Sequence, residues 1–262
     1  MNDVLDGVLN DLRAEGEQLQ RWVSDLTPEQ WATITTAEGW TVAHQVAHLM
    51  WTDEVSVYAA TDKEAFDAMI MSALNDPEHF VDHEADRLAK LPSNELLARW
   101  NESRANLEKV LRETTEKIPW FGPPMSATSM ATARIMETWA HSFDVAEGLG
   151  IEKPKNDRVK HLCHLGVRTR GFAYSVRGKE APDVEIRIEL TSPSGELWTW
   201  GPEDAAERIT GSAWDFGLLA VRRRHRDDTD VKAVGEHASQ WLDIIQAFAG
   251  MPGNDPKRLE DR

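Results

Sequence analysis

Two long stretches of this chain are almost free of charge, and they limit what it can fold into. Residues 39–52 contain no Asp, Glu, Lys or Arg, and residues 127–146 contain only Arg134, Glu137 and Asp144, although 28% of the whole chain is charged. Both stretches have helical spacing, and a helix so poor in charge has to be buried against other elements. In the second, Arg134, Glu137, His141 and Asp144 follow one another at intervals of three, four and three residues, so they share one helix face. The ordinary explanation of such a face is contact with solvent. A solvent-facing helix would also carry scattered Lys and Glu, and here every formal charge lies on the His141 stripe. Glu137 and His141, one turn apart, can grip one metal ion.

In the first stretch Val42, Val46, Leu49 and Met50 mark a buried helix over residues 41–60, with His44 and His48 one turn apart. A buried histidine is ordinarily a hydrogen-bonded core residue. Two on one face each need a partner, and a second buried helix with free ligands can supply it. Further helices are expected over residues 4–24, 63–75, 81–91 and 93–115, the last capped by Ser93 or Asn94. Thr27-Pro28 opens a short turn with proline at its first position. Ser126 caps the helix that carries His141, and the segment from Gly148 to Gly150 ends it. Four main helices joined by loops make an antiparallel four-helix bundle over residues 1–152.

Lys153-Pro154-Lys155-Asn156 reads as a linker. After it the pattern changes. Residues 158–176 are helical, and then Val184, Ile186, Ile188 and Leu190 alternate with charged residues, as a half-buried strand does. Ser192-Pro-Ser-Gly195 turns this strand into its partner at residues 197–200. Short strands at 208–210 and 230–234 and helices at 214–224 and 237–248 complete a small α+β domain over residues 157–250. Residues 251–262 are expected to fray. The fold class is therefore α+β with two domains, the bundle first.

Charge and cysteine usage narrow the function. With 29 Lys+Arg against 45 Asp+Glu the formal net charge is −16, and such a surface repels phosphate backbones and anionic membranes. Nucleic acid and membrane are not expected partners, no apolar run reaches the roughly 20 residues of a spanning helix, and the acidic opening residues lack a signal-peptide pattern. Cytoplasm is the expected location. Cys163 is the only cysteine, which excludes an internal disulfide. It sits on an apolar helix as a packing residue, and its neighbours His161 and His164 lack a third metal-binding partner.

Facing helices of a bundle can build a metal site. Glu137 and His141 from one helix, with His48 or His44 from the other, give three protein ligands and leave room for water, the pattern of an open catalytic site. Zinc, nickel and iron all accept two imidazoles and a carboxylate. The spacing does not choose between them; zinc is the expectation. Asp144 either holds His141 as a hydrogen-bond acceptor or lies at an exposed helix end.

Gly39-Trp40-Thr41-Val42 with Ala47-His48-Leu49, and then the run from Met136 to Asp144, resemble the two metal-binding motifs of the mycothiol-dependent maleylpyruvate isomerase family, whose bundles belong to the DinB-like superfamily. Ile209-Thr210-Gly211-Ser212-Ala213, Asp215-Phe216 and Arg222-Arg223-Arg224 resemble that family's C-terminal domain, which is similar to sterol carrier proteins. The resemblance implies that His48, Glu137 and His141 are the metal ligands, with His44 and Arg134 as neighbours of the site. It also implies an arginine over the metal, Arg223 first and Arg224 next. Without it, Arg222 to Arg224 read as a basic helix end.

The implied activity is a metal-dependent isomerisation or thiol transfer on a small anionic electrophile, with a low-molecular-weight thiol such as mycothiol as cosubstrate. In the isomerase the thiol adds to a conjugated double bond, rotation follows, and the thiol leaves. Two other functions fit the same residues. One is a small-molecule or lipid-binding protein without catalysis, with Trp198, Trp200 and Trp214 lining a cavity. The other is a metal-assisted hydrolase with Asp144 or His44 as general base.

Overall fold

In the computed structural model, which describes residues 3–261, the chain divides into two compact units, Met1–Lys153 and Pro154–Arg262. Residues 1, 2 and 262 lie outside the described residues, and with them the first residues of the expected bundle and the end of the expected tail. No helix among the described residues is long and apolar enough to cross a membrane.

The first unit is built on four long helices, α1 (Asp3–Val23), α3 (Val42–Thr61), α6 (Ser93–Glu113) and α7 (Ala127–Leu149). Between them come α2 (Pro28–Trp31), α4 (Lys63–Asn75) and α5 (Phe80–Leu88). Leu5, Val8, Leu9, Leu19 and Val23 form the buried stripe of α1, which packs on α7. The charge-poor helices α3 and α7 are buried on nearly every side, as their composition requires, and meet each other at the centre. Ser126 Oγ accepts the Ser129 N–H at the start of α7 (3.2 Å), and Gly150, at φ +68°, ends it. Thr27 and Gln30 cap α2 reciprocally. Pro92, not Ser93 or Asn94, occupies the cap position of α6, so no side chain caps that helix.

The segment between α2 and α3 folds back on itself. Ile34 and Thr41 form an isolated antiparallel bridge, and the Thr35 N–H donates to the Trp40 carbonyl at 2.8 Å. Gly148 of α7 makes this approach possible. A Cβ there would stand 3.2 Å from the Ile34 carbonyl oxygen. Trp40 is thereby held above the first turn of α3.

The boundary between the two units falls within the expected linker, just after Lys153. Lys153 is buried in the first unit. Its ammonium donates to Glu15, to Ser142 Oγ (2.7 Å) and to Gln18 Oε1 (3.3 Å), and lies 5.3 Å from the ring centres of Trp22 and Trp139. All three ammonium protons are used, and the end of α7 is fastened to α1.

The second unit holds a four-stranded sheet ordered β2-β1-β3-β4, with β1 (Ile186–Thr191), β2 (Leu197–Trp200), β3 (Glu207–Ser212) and β4 (Lys232–Val234). The expected hairpin is β1–β2, antiparallel, with Ile188 opposite Trp200. β3 lies parallel to β1 on its other side, so the chain must cross beneath the start of β1. Gly201 makes that crossing: its φ is +76°, and a Cβ would stand 2.2 Å from the Ile186 carbonyl oxygen.

The single helix expected over 158–176 is two, α8 (Val159–Arg168) and α9 (Arg170–Ser175), broken at Thr169, whose hydroxyl donates to the Gln246 carbonyl (2.6 Å). The helix expected to reach Arg224 stops earlier, as α10 (Ala213–Ala220). Arg222 adopts φ +56°, its N–H bonding to the Leu219 carbonyl and that of Arg223 to the Leu218 carbonyl. This is a Schellman stop with arginine where glycine is usual. α11 (Glu236–Ile244) is also shorter than expected. The segment expected to fray is fastened at several points. Arg222 reaches Asp255 (2.6 Å), Arg258 reaches Asp227, and the Leu259 N–H donates to Asp228 (2.9 Å).

Candidate metal centre

His48 comes from the middle of α3, and Glu137 and His141 come from successive turns of α7. Their ligating atoms all lie within 4.8 Å of one another, the one such His/Cys/Asp/Glu group among the described residues. Glu137 Oε2 is 3.4 Å from His48 Nε2 and 3.3 Å from His141 Nε2. The edge of a tetrahedron with metal–ligand bonds of 2.0–2.1 Å is about 3.3–3.4 Å. Both separations from Glu137 Oε2 match the edge of such a tetrahedron.

The polarity of the cluster follows from a relay of hydrogen bonds. The Trp40 carbonyl can only accept, and Thr35 Oγ1 donates to it at 2.8 Å. Having spent its proton, that hydroxyl accepts from Gln45 Nε2 at 2.8 Å. Gln45 Oε1 then faces His141 Nδ1 at 2.5 Å and accepts its proton. His141 therefore carries hydrogen on Nδ1. In the neutral ring Nε2 offers a lone pair, and it points at a carboxylate oxygen. Two acceptors facing each other at 3.3 Å suit a cation held between them.

Burial, together with the neighbouring His141, pushes His48 down to about 4, so its ring is neutral and able to ligate near neutral pH. Burial alone would raise Glu137, but the imidazoles of His141 and His48 hold it well below the usual carboxylate range. His48 Nδ1 is buried with no hydrogen-bond partner. Trp40 covers both rings. Its indole stacks on His141 (5.8 Å between centroids, 19° between planes), lies 5.3 Å from His48, and donates Nε1–H to Asp82 of α5 at 2.9 Å.

The other expected site residues have hydrogen-bond partners of their own. Asp144 is buried, not at an exposed helix end. It accepts from Thr36 Oγ1 (3.0 Å) and stands 4.0 Å from His141 Nδ1, so Gln45 is the close acceptor in its stead. Arg134 turns into the bundle, where its Nε donates to Asp53 at 2.9 Å. His44 Nδ1 accepts the Thr41 N–H at the start of α3 (3.2 Å) and Nε2 meets Asp86 of α5 (2.9 Å), so both ring nitrogens are engaged. Arg223 and Arg224 belong to the second unit. Their guanidinium groups donate to the carbonyls of Val221 (2.9 Å) and Arg223 (3.2 Å).

Gln45 was not singled out in the sequence, although it lies three residues before His48 and so shares its face. Replacing it with leucine leaves the His141 N–H without an acceptor. We expect Gln45→Leu to weaken metal affinity by about 10–100-fold, and Gln45→Glu, which keeps an acceptor, to restore most of it. Competition against a chelator of known affinity measures both.

A helical bundle with a buried His–Glu–His cluster across its two central helices defines a class of metal-site scaffold. Residues 12–146 match the family model described as the mycothiol maleylpyruvate isomerase N-terminal domain. Uncharacterised proteins from two strains of Mycobacterium tuberculosis are 49% identical over 245 residues, covering 93% of this chain and 95% of theirs. The chain belongs to the mycothiol maleylpyruvate isomerase N-terminal domain family. Residues 182–233 match a second model, described as wyosine base formation. Crystal structures of the mycothiol-dependent maleylpyruvate isomerase and of a histidine-to-alanine variant share the fold. Each has a TM-score of 0.60 and covers 87% of this chain and 92% of that one, at 19% and 20% identity respectively.

Proposed function

We propose that this protein is a divalent-metal-dependent enzyme that uses a low-molecular-weight thiol, mycothiol or a close equivalent, for isomerisation or thiol transfer on a small anionic electrophile. The observation that carries this reading is the meeting of His48 Nε2, His141 Nε2 and Glu137 Oε2, with the His141 lone pair fixed toward the others. Three donors, with no fourth His, Cys, Asp or Glu beside them among the described residues, leave a coordination position open, as in catalytic and unlike structural zinc sites. Zinc is the proposed metal.

A divalent cation held here would lower the pKa of a thiol brought to it, making thiolate available at neutral pH. The chain does the rest. Gln45 orients His141, Glu137 supplies the negative charge, and the Trp40 indole shields both imidazoles from water. Arg223 or Arg224 is the proposed partner of the substrate carboxylate, on the family resemblance. The thiol must come from outside. Burial pushes the Cys163 thiol well above its usual range, and its Sγ donates to the Ala213 carbonyl at 3.2 Å. Against hydrolysis, both candidate bases are engaged: Asp144 is buried and accepts from Thr36, and His44 spends both nitrogens on Thr41 and Asp86. The wyosine-model match contains none of the three donors, and the net charge of −16 gives no reason to attach RNA chemistry to it.

The test is elemental analysis of the purified chain, followed by assay of the zinc-loaded protein with mycothiol and a panel of unsaturated or otherwise electrophilic small acids. We expect about one equivalent of metal and turnover that depends on both metal and thiol. Turnover at an equal rate without thiol would replace this reading with hydrolysis. Metal without turnover on any acid of the panel would replace it with ligand binding.

A further inference from the structure

The long helices α1 and α6 meet only sparsely, and a cavity of about 200 Å³ opens between them. It shares no residue with the His48–Glu137–His141 cluster. We propose that this cavity binds a small monocarboxylate with an apolar body, and that Arg104 is its counter-ion.

Charge accounting picks out Arg104. Two of the acids that line the cavity are committed elsewhere: Asp53 to Arg134 at 2.9 Å, and Glu108 to Arg13 and Arg112 at 3.0 and 3.1 Å. Arg104 hydrogen-bonds only neutral groups, and the carboxylates of Asp53 and Glu17 act on it from beyond hydrogen-bond distance. Its Nη2 donates to the amide oxygens of Gln20 (2.7 Å) and Asn101, and its guanidinium lies 4.3 Å from the Trp100 ring centre. Its Nε is buried with no hydrogen-bond partner. A largely buried guanidinium with an unused donor is costly unless an anion completes it. Gly16 makes room for this side chain, since a Cβ there would stand 2.4 Å from Arg104 Nη1.

Size and lining set the ligand class. A cavity of about 150 Å³ admits benzene, so this one has room for a benzoate-sized molecule. Leu9, Leu12 and Leu107 supply apolar walls for the body, and Arg104 with Asn101 supplies donors for the carboxylate. Glu17, exposed at the rim, is the one remaining lining acid and opposes entry of an anion. The ligand therefore carries one negative charge in this account.

Calorimetric titration of the full chain with benzoate, and with benzamide as its uncharged twin, tests the proposal. We expect saturable benzoate binding, with benzamide at least about tenfold weaker. Arg104→Met should cost at least about tenfold in benzoate affinity, Gly16→Ala should weaken it by displacing the guanidinium, and Glu17→Gln should tighten it. Absence of saturation by about 10 mM benzoate, equal affinity for benzamide, or an unchanged affinity in Arg104→Met would each overturn it. If Arg104→Met does not fold, the benzoate–benzamide ratio and Gly16→Ala decide.

Discussion

Glu137→Ala is expected to lose bound metal by at least about 100-fold in affinity and, with it, all thiol-dependent turnover. The substitution removes the only negative donor of the three and leaves two neutral imidazoles that hold a cation weakly. The carboxylate's contacts with the two imidazoles are long, at 3.3 and 3.4 Å, so their loss in the metal-free protein costs little beside the loss of the metal. Thermal unfolding of the metal-free variant should therefore stay close to that of the metal-free wild type. Glu137→Gln separates charge from shape: it keeps the volume and one oxygen, and it should bind metal far more weakly than wild type. Elemental analysis after dialysis reads both variants. Full stoichiometric metal in Glu137→Ala would take Glu137 out of the ligand set.

The second large effect is on stability. Lys153→Met removes the ammonium from beside Glu15 at a point where both side chains are out of contact with water. Breaking one partner of a buried ion pair costs about 3–5 kcal/mol, which for a chain of this size lowers the melting temperature by roughly 6–20 °C. The ammonium also loses its bonds to Ser142 and Gln18 and its contacts with two indoles, so no single neighbour compensates. Glu15→Leu combined with Lys153→Met removes both charges and should recover most of the loss. Urea unfolding of the two single variants and the pair gives the coupling. A double variant as unstable as the sum of the singles would assign the cost to packing.

The helices were legible where the chain announces them chemically. The uncharged runs marked the two central helices, Ser126 and Gly150 marked the ends of one of them, and the alternation at Ile186, Ile188 and Leu190 marked the first strand. The meeting of His48, Glu137 and His141 was legible from spacing together with the family resemblance. The rest of the polar stripe was not. Arg134 and Asp144 share a face with His141, yet Arg134 goes to Asp53 and Asp144 to Thr36, because one helix's spacing does not say which neighbour arrives at each turn.

The burial of Lys153 was not legible, for a related reason. Lys-Pro-Lys-Asn has the composition of a linker, while the partner that buries the first lysine lies 138 residues earlier. Arg222 to Arg224 looked like a helix end, and only the left-handed backbone at Arg222 shows that the helix has already stopped. Gln45 and Thr35 escaped notice because their roles exist only once the loop before α3 has folded back.

That loop has an implication for how the site tolerates change. The succession of donors that starts at His141 finishes on a peptide oxygen, which neither titrates nor depends on which side chain residue 40 carries. A substitution of Trp40 can strip the indole from above the rings, yet it leaves the oxygen in place, and the tautomer of His141 with it. Shielding and proton placement, though contributed by one residue, are therefore separable, and variants at that position can alter access while the hydrogen of His141 stays on Nδ1.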